Sequence, residues 1–239
     1  MSELNLRIPQ KSIFGLIGPN GAGKTTVFNM ITGVYAPTSG EITFFGKPIT
    51  AKKTHHLVRD GIARTFQNIR LFKHMTVLEN ILSALDHHPN FPKFHVLTGI
   101  LRTHSAQQQE REKITEARHL LNIFQLEAQL FAPAGSLPYG AQRRLEIVRA
   151  LATGCKLLLL DEPAAGMNAN ETEELLNNIR KLRDEFQLSI LLIEHDMKLV
   201  MNVCESIAVL DYGVKIAEGN PQEVRANPAV IEAYLGKAE

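Results

Sequence analysis

A chain of 239 residues, 44% hydrophobic and 21% charged, can bury a substantial core and has the composition of an ordinary folded protein. Its 26 Lys+Arg against 25 Asp+Glu leave a formal charge of +1, which gives no basis for a nucleic-acid or anionic-surface binder. Neither the N-terminus MSELNLRIPQKSIFGLIG nor any apolar run has the form of a signal peptide or a bilayer span, so any membrane role is expected to pass through a partner.

Ile13–Ile17 is a short apolar run closed by glycine, the pattern of a buried strand. Gly18–Gly23 is a glycine-rich loop, and Val27–Ile31 begins a helix. Ile42–Phe45 reads as a strand followed by a Gly46-Lys47-Pro48 turn. From about Leu71 to Leu151 the texture turns helical, with Ile114, Ala117, Leu120, Leu121 and Phe124 at helical spacing. The proline-punctuated stretch His87-His88-Pro89-Asn90-Phe91-Pro92 reads as a loop between those helices. A strand at Leu157–Leu160 and a helix at Glu171–Phe186 follow, the helix capped by an Asn170/Glu173 capping box. Ile190–Ile193 and Ile207–Leu210 complete the strands. This alternation predicts an α/β fold with a parallel sheet: a core over 1–70 and 152–239 and a helical insertion over 71–151. Cys155 and Cys204 lie far apart in apolar surroundings and are expected to be buried reduced thiols.

Gly18-Pro19-Asn20-Gly21-Ala22-Gly23-Lys24-Thr25-Thr26 fits the phosphate-loop pattern between a strand and a helix. The glycines let successive N–H groups curl toward phosphate oxygens, aided by the helix N-terminus. Lys24 is suited to the β- and γ-phosphates and Thr25 to Mg²⁺. Asp161-Glu162 ends a buried strand at the edge where parallel sheets hold ligands. Asp161 suits Mg²⁺ through water, and Glu162 suits the polarisation of an attacking water. His195 also follows a strand and is the histidine chosen as a γ-phosphate contact. The pairs His55-His56 and His87-His88 read as solvated loop residues, with no third ligand at metal-binding spacing.

These motifs, with Gln67 and the Leu137-Pro138-Tyr139-Gly140-Ala141-Gln142 stretch between them, occur in the order seen in ABC transporter ATPases, and the chain resembles that family over its whole length. The resemblance implies a P-loop NTPase, RecA-like cassette with an inserted helical subdomain. It further implies an ATPase using ATP and Mg²⁺, with Gln67 in a loop that touches Mg²⁺ and the transmembrane subunit. Leu137–Gln142 resembles the signature motif, which receives the ATP of a second ATPase subunit in a head-to-tail pair. The run Leu137–Ile147, the stretches Ala164–Asn168 and Glu194–Val200, and Ala233-Tyr234-Leu235-Gly236 resemble the ATPases of branched-chain amino-acid importers. The proline-containing insert near residues 86–105 resembles the longer of the two ATPases in such systems. The implied partners are a second ATPase subunit (a heterodimer more than a homodimer), permease subunits and, indirectly, a periplasmic binding protein. The implied location is the cytoplasmic face of the inner membrane. Cassettes for other amides, urea or lipid export share much of this pattern, and so would a nucleotide-binding regulator without turnover.

Two departures stand out. Pro138 replaces the serine usual in the signature, removing one hydroxyl while leaving the Gly140 and Ala141 N–H groups. Members of the family also carry a further N-terminal strand with an aromatic that stacks on adenine, whereas here no Tyr, Phe or Trp precedes Phe14, itself expected in the core. The resemblance therefore implies a partly truncated β-subdomain with an unpaired sheet edge. Losing a stacking contact of roughly 1–3 kcal/mol would weaken ATP binding by about 5- to 150-fold. The intact downstream motifs make a shortened start the expectation rather than a poor nucleotide binder.

Overall fold

The computed structural model describes residues 3–91 and 104–235; of the insert near residues 86–105, positions 92–103 lie outside the described residues, as does Gly236. In chain order the strands are β1 (Ile13–Ile17), β2 (Thr43–Phe44), β3 (Lys47–Pro48), β4 (Ile62–Arg64), β5 (Leu157–Asp161), β6 (Ser189–Ile193), β7 (Ser206–Asp211) and β8 (Val214–Gly219). The helices are α1 (Lys24–Ile31), α2 (Thr54–Asp60), α3 (Val77–Leu85), α4 (His104–Ile123), α5 (Tyr139–Leu151), α6 (Ala169–Phe186), α7 (Met197–Val203), α8 (Pro221–Ala226) and α9 (Pro228–Leu235).

Every residue of β1, β5 and β6 is buried. Successive side chains on a strand point to opposite faces, so an all-apolar run needs cover on both sides. Both covers are present. Ile13, Leu158, Leu160, Ile190, Leu192, Ile207 and Val209 face one apolar cluster, while Phe14, Leu16, Leu157, Leu159, Leu191, Ile193, Ala208 and Leu210 face the other. The sheet runs β4-β5-β6-β1-β7-β8. All neighbours are parallel except β8, which returns antiparallel to β7. This order puts the C-terminal ends of β1, β5 and β6 side by side, and the loops after them share one crevice. Helices α3, α4 and α5 pack on one another, and their apolar residues Ile81, Leu85, Leu120, Leu121, Leu145 and Val148 belong to the first cluster. The core thus continues from these helices into the sheet.

Several local expectations shift. The turn before β3 is Phe45-Gly46, with φ of 48° and 73°, so Lys47 and Pro48 belong to a strand rather than to the turn. Two central residues at positive φ make the tight turn that matches strand twist. Helix α6 begins two residues earlier than expected, and its capping box is Asn168/Glu171, not Asn170/Glu173. Asn168 Oδ1 accepts from Glu171 N–H and Glu171 Oε2 accepts from Asn168 N–H, both at 3.0 Å, which fixes the start there. Strands β4 and β8 leave no clear signal in the sequence, the one being three residues long and the other interrupted by Lys215 and Glu218. Residues 3–12 form no strand, and Leu4, Leu6 and Ile8 pack on the second cluster. Phe14 is 1% exposed and is core, as expected.

His55 and His56 are exposed but lie on α2 rather than in a loop. His88 is not a solvated loop residue. Its ring packs 5.5 Å from Phe91 and closes on Gly154, and burial lowers its pKa. Cys155 and Cys204 are buried free thiols, and burial pushes both up to about 12. Among the described residues no helix is long and apolar enough to cross a membrane.

Candidate active site

The loop Gly18–Gly23 leaves β1 with backbone geometry that side chains resist. Gly18 has φ 151°, and a Cβ there would lie 2.0 Å from the Leu210 carbonyl oxygen. Gly21 and Gly23 sit at φ 82° and 100°. The β7–β8 turn backs the loop, with Gly213 N–H donating to the Ala22 carbonyl at 2.9 Å. Helix α1 then begins at Lys24 with no side-chain cap and no acidic residue in its first turn. Its leading N–H groups and positive dipole end are therefore open to an anion. Helices α3, α6 and α8, by contrast, are closed by full capping boxes. Thr25 and Thr26 are exposed on the first turn of α1, and Asn20 is exposed at the loop tip, beside half-buried Pro19.

Lys24 folds back over the loop, its Nζ donating to the carbonyls of Gly18 at 2.7 Å and Pro19 at 3.0 Å. Burial lowers its pKa, opposed by the carboxylates of Glu162 and Asp161. Those carboxylates stand at the end of β5. Asp161 is buried and paired with Arg64 at 2.7 Å. Arg64 is held in turn by Asn29 Oδ1 at 2.7 Å and lies over the rings of Phe28 and Phe66.

Glu162 has φ 47°, a left-handed backbone in a residue with a side chain. Such a conformation costs about 1–3 kcal/mol and persists only where the surroundings enforce it, most often at functional sites. Its N–H donates to the Ile193 carbonyl at 3.0 Å. Its carboxylate accepts from Gln67 Nε2 at 3.1 Å and lies 4.0 Å from His195 Nδ1. His195 is 64% exposed, and its open face is available to a ligand. Thus Gln67 and His195, far apart in sequence, both approach the Glu162 carboxylate, the first by a hydrogen bond and the second at 4.0 Å. Beneath them Glu194 is buried, with Oε1 accepting from Ala164 N–H at 3.0 Å. Burial raises its pKa, and the Ala164 bond and His195 oppose the rise.

Leu137–Gln142 forms the entrance to α5. Pro138 is the N-cap residue and gives no side-chain bond, so this helix too starts open, while Gln142 Nε2 donates back to the Leu137 carbonyl at 2.8 Å. Tyr139 is about half exposed, and Leu137, Gly140 and Ala141 are buried. A Cβ on Gly140 would meet Glu171 Oε1 at 2.8 Å. Four charged side chains of this region, Arg64, Arg143, Glu146 and Glu194, were not read from the sequence. Their signal is burial, which neither residue type nor spacing reveals.

The geometry has the parts of a phosphoryl-transfer centre: an anion nest, a lysine, oxygen donors and a carboxylate beside a polar crevice. The chain matches the ABC transporter family over residues 1–165 and the branched-chain amino acid ATP-binding cassette transporter family over residues 214–239. It is 48% identical to the high-affinity branched-chain amino acid transport ATP-binding protein BraF of Pseudomonas aeruginosa, over all of this chain and 92% of that one. It is 44% identical, with the same coverage, to the corresponding protein LivG of Escherichia coli. Among solved structures it is similar to the ADP conformation of an ATP-binding cassette of an ABC transporter, at 31% identity and a TM-score of 0.79 over 96% of this chain and 90% of that one.

Proposed function

This chain belongs to the ABC transporter ATP-binding family, and from that premise we propose that it is the ATP-hydrolysing motor of an importer for branched-chain amino acids. The observation that carries the reading is the meeting of Gln67, Glu162 and His195 beside a phosphate-loop helix left open at its N-terminus. The match of residues 214–239 to the branched-chain family favours that solute class.

In this reading the N–H groups of Gly18–Thr26 receive the ATP phosphates. Lys24 exchanges the Gly18 and Pro19 carbonyls for the β- and γ-phosphates, an exchange favoured because a phosphate is a stronger partner for an ammonium than a carbonyl. The oxygen donors of Thr25, Gln67 and, through water, Asp161 suit a hard cation, so these residues would hold Mg²⁺, which supplies charge neutralisation on the phosphates. Glu162 accepts the proton of the attacking water, and His195 steadies the γ-phosphate from its exposed face. Leu137–Gln142 at the open start of α5 receives the nucleotide of a second ATPase subunit, a paralogue rather than a copy. The nucleotide core comprises 1–70 and 152–239, with 71–151 as the signature-bearing part. Permease subunits at the inner face of the membrane take up the motion near Gln67, and a periplasmic binding protein acts through them.

The test is Mg²⁺-dependent ATP hydrolysis by the chain with its partner subunits, beside Glu162→Gln. Turnover that disappears in the variant supports the assignment. Turnover that survives it removes Glu162 from the mechanism.

A further inference from the structure

Arg143 heads the largest fully buried side chains of the described residues, and its side chain has no exposure. It stands on α5, one residue past the signature stretch. Its guanidinium donates to five oxygens: the carbonyls of Phe66, Asp161 at 2.7 Å, Glu162 at 2.7 Å and Pro163 at 3.4 Å, and Glu146 Oε2 at 2.8 Å. The other oxygen of Glu146 accepts from Arg70 N–H at 3.0 Å.

Each backbone bond ends beside a residue with a proposed role. Phe66 precedes Gln67 and Arg70 follows it, so the pair grips that loop on both flanks. Asp161, Glu162 and Pro163 carry the chain out of β5 through the left-handed turn at Glu162. A strained residue of this kind needs its surroundings to hold it, and Nη2 bonds the carbonyls on both sides of its φ rotation. Stability alone is a weak reason for the arrangement, because a buried ion pair rarely outperforms apolar residues of the same volume. A planar guanidinium with five fixed donors is instead suited to setting several backbone segments in one geometry.

We infer that Arg143, oriented by Glu146, is the positioning residue that sets Glu162 and Gln67 relative to α5. The inference rests on the catalytic reading given above. Because α5 begins with the signature stretch, the same guanidinium ties the helix that would meet the partner's nucleotide to the hydrolytic groups of its own subunit. Displacement of α5 is then felt at Glu162 without any contact between Arg143 and substrate.

The experiment compares turnover and nucleotide affinity in the complex with its partner subunits. The main variant is Arg143→Met with Glu146→Gln, which removes both charges together and leaves neither buried alone. It is expected to bind a fluorescent ATP analogue as the unmodified protein does, because the phosphate loop is untouched. Its maximal rate is expected to fall on the order of 10²-fold, the scale of a misplacement near 1 Å. Arg143→Lys keeps the charge but reaches fewer carbonyls, and its rate should lie between the two. An unchanged maximal rate, or a loss appearing equally in nucleotide affinity, overturns the inference. If the double variant does not fold, Arg143→Lys decides. A folded lysine variant with lower turnover and unchanged affinity supports positioning, and one with full turnover overturns it. Glu162→Gln is measured beside them. Turnover surviving in Glu162→Gln sinks the catalytic reading and this inference with it, whereas an inactive Glu162→Gln beside fully active Arg143 variants sinks this inference alone.

Discussion

Replacing Arg64 by methionine leaves Asp161 with no ion-pair partner at the end of β5. The two side chains are each 8% exposed and 2.7 Å apart, so solvent does little to screen the loss. Methionine fills much of the slot between Phe28 and Phe66, which confines the perturbation to charge and hydrogen bonding. Removing one partner of a buried pair costs about 3–5 kcal/mol. The Lys24 ammonium also acts on Asp161 and offsets part of that, which favours the lower half of the range. For a chain of this size 1 kcal/mol corresponds to about 2–4 °C, so Arg64→Met should melt roughly 6–16 °C below the unmodified protein. Thermal unfolding followed by circular dichroism reads this directly. Arg64→Met with Asp161→Asn should recover more than half of the loss, since no buried charge is then left alone. Adding Mg²⁺ and ADP should raise the melting temperature of the single variant more than that of the parent, because the cation resupplies positive charge near Asp161. The reasoning fails if the single variant melts within about 2 °C of the parent, or if the double variant is no better than the single.

Gly18→Ala places a Cβ 2.0 Å from the Leu210 carbonyl and should displace the loop; equilibrium titration should show ATP affinity lower by about tenfold or more, and unchanged affinity would contradict the clash. Burial raises the Glu194 pKa above 4.5, so the folded state holds this proton more tightly than the unfolded chain. The favourable contribution is therefore full below 4.5 and is lost as pH rises through the folded value. Glu194→Gln keeps an oxygen for Ala164 N–H and removes the charge, so it should melt above the parent at neutral pH and converge with it as the pH falls toward 4.5. A difference independent of pH would refute the assignment. Thr76→Ala removes the cap of α3 and should cost about 1 kcal/mol, lowering the melting temperature by roughly 2–4 °C. Cys155 and Cys204, moved from 9.0 to about 12, expose roughly 10³-fold less thiolate than an unfolded chain, so iodoacetamide should label them only after denaturation.

The parts of the site legible in the sequence are those whose chemistry is local. Gly18–Thr26 is a contiguous loop, and Asp161-Glu162 follows a leucine run whose burial is evident from its composition. What escaped is whatever depends on distant segments closing over a side chain. Arg143 and Glu146, three apart on a helix, resemble a solvated ion pair until Phe66, Asp161 and Glu162 arrive to bury them. Arg64 ends a strand too short to show a period, and its partner Asp161 lies 97 positions away. Strand β8 was missed for the opposite reason: as an edge strand it carries Lys215 and Glu218, and only pairing with β7 marks it as part of the sheet.

The strand order also bears on how the molecule comes into being. Strand β1 lies inside the sheet, yet its neighbours are β6 and β7, with Ile13 beside Ile190 and Phe14 beside Ser206. During synthesis the apolar segment Ile13–Ile17 therefore leaves the ribosome long before anything exists to pair with it. At 5–20 residues per second its first partner follows after roughly 10–35 s. Pairings between such distant segments are slow to close even once both are present. For that interval the segment that will carry the phosphate loop is an exposed, uncharged strand, the kind of surface that chaperones engage and that aggregates when they do not.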